Sequence, residues 1–129
     1  MSEIITDKLT GKTSAGDVDV TSEGGAVTMQ LQQGLAKAWV FGSNSAGLND
    51  SFSISSGIDN GTGDYSYALS NAFSSVNFAQ QSTSGSGTPS HSATTNHSRI
   101  TSSVAAIETS DDSSNSDKQH HVTVHGDLA

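Results

Sequence analysis

Two stretches of the chain decide its fold: Gly34-Leu-Ala-Lys-Ala-Trp-Val-Phe41 and Asp50-Ser-Phe-Ser-Ile-Ser-Ser-Gly-Ile-Asp-Asn-Gly-Thr-Gly-Asp-Tyr-Ser-Tyr67. They contain the only Trp, both Tyr and two of the four Phe of the protein. In the second stretch, apolar and polar side chains alternate over residues 51–58 and 64–69, which indicates two half-buried strands. Asn60-Gly61 tolerates the positive φ angles of a tight turn, and Gly63 suits a bulge. We therefore expect an antiparallel hairpin.

Further short strands are predicted on both sides of this hairpin. Residues 26–33 and 35–41 alternate at period two, residues 99–108 suit one buried strand, and residues 121–125 close the chain as another. A helix over 26–33 is the weaker alternative, because the apolar residues do not repeat at helical spacing. Loops are expected at 42–49, 81–98 and 111–118, and Phe73, Val76 and Phe78 mark a strand or a turn. The turn spacing predicts an all-β fold, a small antiparallel β-sandwich or jelly-roll-like domain.

The chain is expected to have two parts. Residues 1–30 carry few apolar side chains and several glycines, so they predict an extended N-terminal arm or stalk that anchors or intertwines with a neighbour. Residues 31–129 form the predicted head domain, with a polar loop at 81–98.

The composition limits how large a core the chain can build. Of its 129 residues only 32% are hydrophobic and 5% are aromatic, and 14% are charged. A chain with so little apolar surface either stays disordered or completes its core by associating with copies of itself. The alternating patterns favour the second outcome.

Charge and residue usage exclude several partners. The net charge of −8 and only five Lys and Arg argue against binding to a nucleic-acid backbone. The chain has no Cys for disulfide or thiolate chemistry. The sequence after Met1 is acidic and lacks the apolar core of a signal peptide, so we expect synthesis in the cytoplasm without export. No apolar run approaches the roughly 20 residues needed to insert into a membrane.

Several residues invite a chemical role. His120, His121 and His125 invite a metal-binding interpretation, because His121 and His125 share one face of a strand and could meet one ion. Solvent-facing side chains are the favoured interpretation of all three, and no cofactor is expected. Asp59 with Asp64 could act as a carboxylate pair or, with Asn60, hold Ca²⁺, although Asp and Asn are typical of turns. The adjacent pair at 111–112 is interpreted in the same way. No Gly-x-Ser-x-Gly motif supports a hydrolytic triad, and we expect no enzyme activity.

The large aromatic residues have two interpretations. Trp39, Tyr65 and Tyr67 could present a sugar-binding surface, because aromatic faces stack on the apolar faces of sugar rings. They are also the largest side chains available for a core, which is the favoured interpretation. The predicted core or assembly residues are Val27, Met29, Leu31, Trp39, Phe41, Phe52, Ile54, Tyr65, Tyr67, Val122 and Val124.

The amino-acid sequence also resembles that of a known group of proteins. Leu31-Gln-Gln-Gly-Leu-Ala-Lys-Ala-Trp-Val40, Asp50-Ser-Phe52 and Asp59-Asn-Gly-Thr-Gly-Asp-Tyr65 resemble a module of short virion structural and tail-fibre-like proteins of marine tailed phages. The opening Ser2–Ser14 and the ending Val124–Ala129 look like the ends of such proteins. The sequence departs from that module at Phe41-Gly-Ser-Asn-Ser45, where an Asn-Phe-Asn-Gly-like turn is usual, and residues 81–121 match no part of it.

The resemblance implies a non-enzymatic component of a virion, on the capsid surface or the tail. It implies a homotrimer, because phage fibres of this kind are usually trimeric, and contacts with other virion proteins. The alternative is a receptor- or glycan-binding module displayed on the particle for host attachment. Its binding residues would lie in the loops at 42–49, 81–98 and 110–119, because loops on a rigid scaffold tend to carry them.

Overall fold

The computed structural model describes residues 3–12, 18–21, 24–25, 28–85, 92–95, 100–111 and 114–128. The chain divides into two compact units, residues 1–35 and 36–129. The sequence-based boundary after residue 30 stays a prediction, as does the role of the first unit as an arm.

The first unit contains one small hairpin. Strands β1 (Asp19–Thr21) and β2 (Thr28–Gln30) pair antiparallel, and a helical turn, α1 (Leu31–Gly34), follows. The predicted strand over 26–33 is therefore too long: Leu31-Gln-Gln consists of good helix formers, and Leu31 N donates to Val18 O at 2.7 Å. Val27 lies outside the described residues.

The second unit is an antiparallel β-sandwich, which confirms the predicted fold class. Its four-stranded sheet has the order β4-β3-β11-β7, and its five-stranded sheet has the order β10-β9-β6-β5, with β8 also paired to β9. These strands are β3 (Ala38–Gly42), β4 (Leu48–Phe52), β5 (Ile54–Gly61), β6 (Asp64–Leu69), β7 (Ala79–Ser84), β8 (Ser92–Thr95), β9 (Val104–Asp111), β10 (Ser114–Asn115) and β11 (His120–His125).

The predicted hairpin is present as β5 and β6. Ile58 lies opposite Ser66 and Asp59 opposite Tyr65. The turn requires glycine, because Gly61 has φ 138° and Gly63 has φ 67°. A Cβ at Gly63 would also lie 2.3 Å from the backbone oxygen of Thr109, so the turn packs tightly on β9.

The expected single strand over 51–58 is wrong, because the chain changes sheet inside it. Phe52 ends β4 opposite Trp39, whereas Ile54 begins β5 opposite Leu69. Ser53 between them adopts φ 57°, a left-handed conformation that turns the corner. Ser53 is therefore the whole connection between β4 in one sheet and β5 in the other.

The predicted loop over 81–98 is wrong in part, because this polar segment contains strand residues. β7 covers Ala79–Ser84 and pairs with β11, and β8 covers Ser92–Thr95 and pairs with β9. A sheet can include such polar strands because one face of β7 is exposed and needs no apolar side chains.

The core lies between the two sheets. Tyr65, Tyr67 and Ile107 of the five-stranded sheet pack with Val40, Val122 and Val124 of the four-stranded sheet, and each is 0–2% exposed. Ile54 and Phe78 pack against this cluster. The predicted core positions Tyr65, Tyr67, Val122 and Val124 are thus buried, and Ile54 lies at the edge of the core.

Candidate functional site

The four-stranded sheet presents one face to solvent, here called the outer face. Burial alternates along β3 and β11, so Trp39 and Phe41 point outward on β3 and His121, Thr123 and His125 point outward on β11. The register places Phe52 beside Trp39 and Asp50 beside Phe41 on β4. On the other side, Thr83 lies beside His121 and Gln81 beside Thr123.

The β3–β4 half of this face carries an apolar patch, Trp39, Phe41 and Phe52. Trp39 is 36% exposed and Phe52 is 56% exposed. The interpretation of these three residues as core of the single chain is wrong, because the smaller Ala38 and Val40 face inward on β3. In the first unit Met29 is 62% exposed and Leu31 is half-buried. All of them stay candidates for assembly.

The β11–β7 half of the outer face is polar. Gln81, Ser82, Thr83, His121 and Thr123 line a shallow depression of about 120 Å³, here called the polar groove. The imidazole of His121 stacks flat on Phe41, with ring centroids 4.5 Å apart and an interplanar angle of 5°. The polar groove therefore meets the apolar patch at this ring pair.

A larger depression lies where β3 and β7 end and β11 begins. Asn44, Gly85, Asp117, Lys118 and Gln119 line this loop-end cleft, which has a volume of about 320 Å³. Its lining comes from the three loop regions that the sequence assigned to binding: 42–49, 81–98 and 110–119. The structure thus brings together residues that are 75 positions apart (Asn44 and Gln119).

A hydrogen-bond network behind the cleft holds its wall in place. Asp117 Oδ1 accepts from Gly63 N at 2.7 Å and from the Tyr65 hydroxyl at 3.0 Å. Burial and the neighbouring Asp117 carboxylate raise the pKa of Tyr65 to about 12, so its hydroxyl remains a donor at neutral pH. The same hydroxyl lies 3.2 Å from the backbone oxygen of Asn44, and one buried tyrosine therefore links both sides of the cleft.

His120 lies deeper at the same end of the sandwich, and the expectation that it faces solvent is wrong, because its side chain is fully buried. Its Nδ1 lies 2.8 Å from the backbone oxygen of Lys118, and its Nε2 lies 2.5 Å from the Tyr67 hydroxyl. Because a carbonyl oxygen only accepts, the network assigns the proton to Nδ1 and leaves Nε2 to accept from the phenol. Burial lowers the pKa of His120, opposed by the Lys118 carbonyl, and burial raises the pKa of Tyr67. Both groups are neutral partners inside the core. The alternation along the last strand indicates this burial, because position 120 shares a face with Val122 and Val124.

The remaining candidates take part in local structure. Asp59 Oδ1 accepts from Gly61 N at 3.0 Å, and Asn60 Nδ2 donates to Ser66 Oγ at 2.8 Å, so the hairpin turn uses these side chains. Asp111 pairs with Lys118 at 3.2 Å; position 112 lies outside the described residues. His121 and His125 point to the same face as predicted. In the described part of the chain, no three His, Cys, Asp or Glu residues come close enough to hold a metal ion.

Searches of protein-family profiles, curated proteins and solved structures find no match to this chain. Within the described ranges, none of the helical segments has the length and apolar character to cross a membrane.

Proposed function

We propose that this protein is a non-enzymatic structural subunit of a tailed-phage virion that assembles as a homotrimer. The observation that carries the proposal is the apolar patch, because Trp39 and Phe52 are paired on a solvent-exposed sheet face. Large aromatic side chains exposed side by side are typical of the centre of a protein interface. The patch gives a chain with a small core a way to bury more apolar surface.

The charge distribution supports a second copy of the chain as the occupant of this patch. The protein carries 13 acidic residues and a net charge of −8, so copies repel one another on average. Among the described outward positions of the four-stranded sheet, Asp50 is the one acidic side chain. The outer face thus presents little negative charge to a second copy, and depletion of charge is typical of interface centres.

The resemblance to phage virion proteins supports the placement on a particle. The residues that carry it have structural tasks in this fold. Lys37-Ala-Trp-Val40 sends Ala38 and Val40 into the core and Trp39 to the patch, and Asp59 to Tyr65 builds the hairpin turn. In this proposal residues 1–30 anchor the sandwich to neighbouring subunits or other virion proteins.

The solution mass tests the trimer. Light scattering should give three times the chain mass of 13.2 kDa for the wild-type protein. The double variant Trp39→Ser, Phe52→Ser should fall to one chain with an unchanged circular dichroism spectrum. Ile58→Ser is the matched control, because Ile58 is 53% exposed but lies on β5 of the other sheet. A wild-type monomer, or a trimer that survives the double variant, would refute packing through this patch.

The loop-end cleft favours a second function, a receptor- or glycan-binding module displayed on the same particle. Three loops that are distant in sequence supply the lining of one polar depression on a rigid sandwich, the arrangement in which binding residues are commonly found. Binding of the purified protein to an array of cell-surface glycans tests this function independently of its mass.

A further inference from the structure

The loop-end cleft and the polar groove adjoin each other at His121. His121 lines the groove, and Gly85 lines the cleft. A Cβ built on Gly85 would lie 3.7 Å from His121 Nε2, so the two residues are neighbours. The two depressions, of about 320 and 120 Å³, are therefore separated by little more than one imidazole ring.

The side chains along this surface both donate and accept hydrogen bonds. Among the lining residues, Asn44 and Gln119 carry amides, and Thr83 and Thr123 carry hydroxyls. Asp117 carries a carboxylate, whose Oδ1 is already held by Gly63 N and the Tyr65 hydroxyl. Amides and hydroxyls have both capacities, whereas a carboxylate only accepts. A ligand with many hydroxyl groups, each a donor and an acceptor, matches such a lining better than a ligand with acceptors alone.

The charges of the site favour an uncharged ligand. Lys118 Nζ lies 3.2 Å from Asp111 Oδ1, so the ammonium group of the cleft already has a carboxylate partner. Asp117 adds a negative charge, and the chain as a whole carries −8. A polyanionic chain would be repelled by this field, whereas a neutral one would not.

The stacked rings of His121 and Phe41 supply an apolar surface between the two depressions. Their parallel arrangement fixes the orientation of the imidazole at the surface of the sheet. Sugars present hydroxyls at their edges and C–H groups on their faces, so a polar site beside a flat ring pair is suited to them.

We propose that the loop-end cleft and the polar groove are two subsites of one binding site for a neutral oligosaccharide, joined at His121. The chain of sugars crosses from Asn44 and Gln119 in the cleft, past His121, to Thr123 and Gln81 in the groove. The proposal deepens the second function proposed above and rests on it. It leaves Trp39 and Phe52 of the apolar patch free for contacts between subunits.

A glycan array that carries neutral, uronic-acid-containing and sulfated oligosaccharides provides the probes, and titration calorimetry of the strongest neutral binder provides the affinity. The wild-type protein should prefer neutral chains, and its affinity should rise tenfold or more from the monosaccharide to the tetrasaccharide as the second subsite fills.

Gly85→Leu should weaken binding at least tenfold, because it fills the cleft beside His121. A Cβ at Gly85 meets its neighbours at 3.5–3.8 Å, ordinary contact distances, so the fold should accept the variant. His121→Ala should weaken binding of the tetrasaccharide more than binding of the monosaccharide. Ser56→Leu is the matched control, an equal apolar addition on an exposed position of β5.

The possible results distinguish the proposed binding site from the more general glycan-binding function. Absence of glycan binding at millimolar concentration would overturn both the site and the glycan-binding function. Binding that Gly85→Leu and His121→Ala leave unchanged would overturn the site but not the function. Preference for anionic chains would overturn the proposed ligand class. Equal affinity for a monosaccharide and a tetrasaccharide would overturn the proposal that the two subsites are joined.

Discussion

Mild acidification is expected to destabilise the sandwich through one residue, His120. Its side chain is fully buried, and its two ring nitrogens are held by the Lys118 carbonyl and the Tyr67 hydroxyl. Burial is the main cause that lowers the pKa of His120 below its ordinary value of 6.5. The unfolded chain therefore binds a proton at a higher pH than the folded chain does.

The sign and the size of the effect follow from this difference. Where the unfolded state binds more protons, the free energy of unfolding decreases as the pH falls. For one proton the limiting slope is about 1.4 kcal/mol per pH unit, and it applies between the unfolded pKa and the lowered folded pKa. At pH 6.5 the unfolded imidazole is only half protonated, so acidification from pH 6.5 to 5.5 should remove up to about 1 kcal/mol of stability. The ordinary pKa values of Asp and Glu in model peptides are about 4, so this window is chosen for histidine.

Urea unfolding between pH 7.5 and 5.5, followed by the fluorescence of Trp39, measures this slope. His120→Gln should lower stability at pH 7.5 but remove the slope. His121→Gln is the matched control and should keep the slope, because it leaves the buried imidazole in place. A wild-type protein whose stability is flat over this range, or a slope that persists in His120→Gln, would refute the reasoning. If His120→Gln does not fold, an NMR titration of the wild-type imidazoles decides the question by showing whether His120 remains neutral at pH 6.

The remaining predictions concern packing around the same network and the hairpin turn. Tyr67→Phe should cost about 1–3 kcal/mol in urea unfolding, because it leaves Nε2 of His120 buried without its partner; a cost below 0.5 kcal/mol, on the order of a surface substitution, would contradict the buried bond. Gly42→Ala should lower the free energy of unfolding by about 1–3 kcal/mol, because its Cβ would overlap Tyr67 Oη and His120 Nε2. A variant as heat-stable as the wild type would contradict this close approach of the two side chains to Gly42. Gly63→Ala should lower stability more than Gly61→Ala does. Both glycines have a positive φ, but a Cβ at Gly61 would meet open space, whereas a Cβ at Gly63 would meet the backbone of Thr109. Equal losses of stability in the melting curves of the two variants would contradict the close packing of the turn on β9.

The sequence predicted those parts of the fold in which side-chain size and periodicity agree. The turn residues after Ile58 and the alternation of Tyr65 and Tyr67 point to the same hairpin, which the structure contains. The turn itself lies at Thr62-Gly63 and not at Asn60-Gly61, because β5 continues to Gly61 and Asn60 does not adopt a positive φ. In β3 they do not agree. Both faces of Ala38-Trp-Val-Phe41 are apolar, so period two defines the faces but not which one is inside. Size favoured Trp39 and Phe41, whereas in the structure the large Tyr65 and Tyr67 of the other sheet share the core with the small Ala38 and Val40.

Two other features leave no trace in a periodic pattern. Phe52 and Ile54 alternate correctly on either side of Ser53, so the corner at Ser53 is invisible unless its positive φ is known. The strand Ala79–Ser84 has no apolar side chain larger than that of Ala79, and its place in the sheet depends on its pairing with β11. The sequence placed possible binding residues in the loops at 42–49, 81–98 and 110–119, but the loop-end cleft and its individual lining residues depend on this pairing and could not be predicted.

The pairing of β3 with β11 has a mechanical consequence. These are the first and last strands of the sandwich, and they run antiparallel with Ala38 opposite Val124. A pulling force applied at the two ends of the sandwich would open their hydrogen bonds one after another, as a zipper opens, instead of loading all of them together. In a fibre under tension the load would therefore have to pass through contacts between subunits. The same closeness of entry and exit would allow the sandwich to be inserted as a unit into a surface loop of another protein.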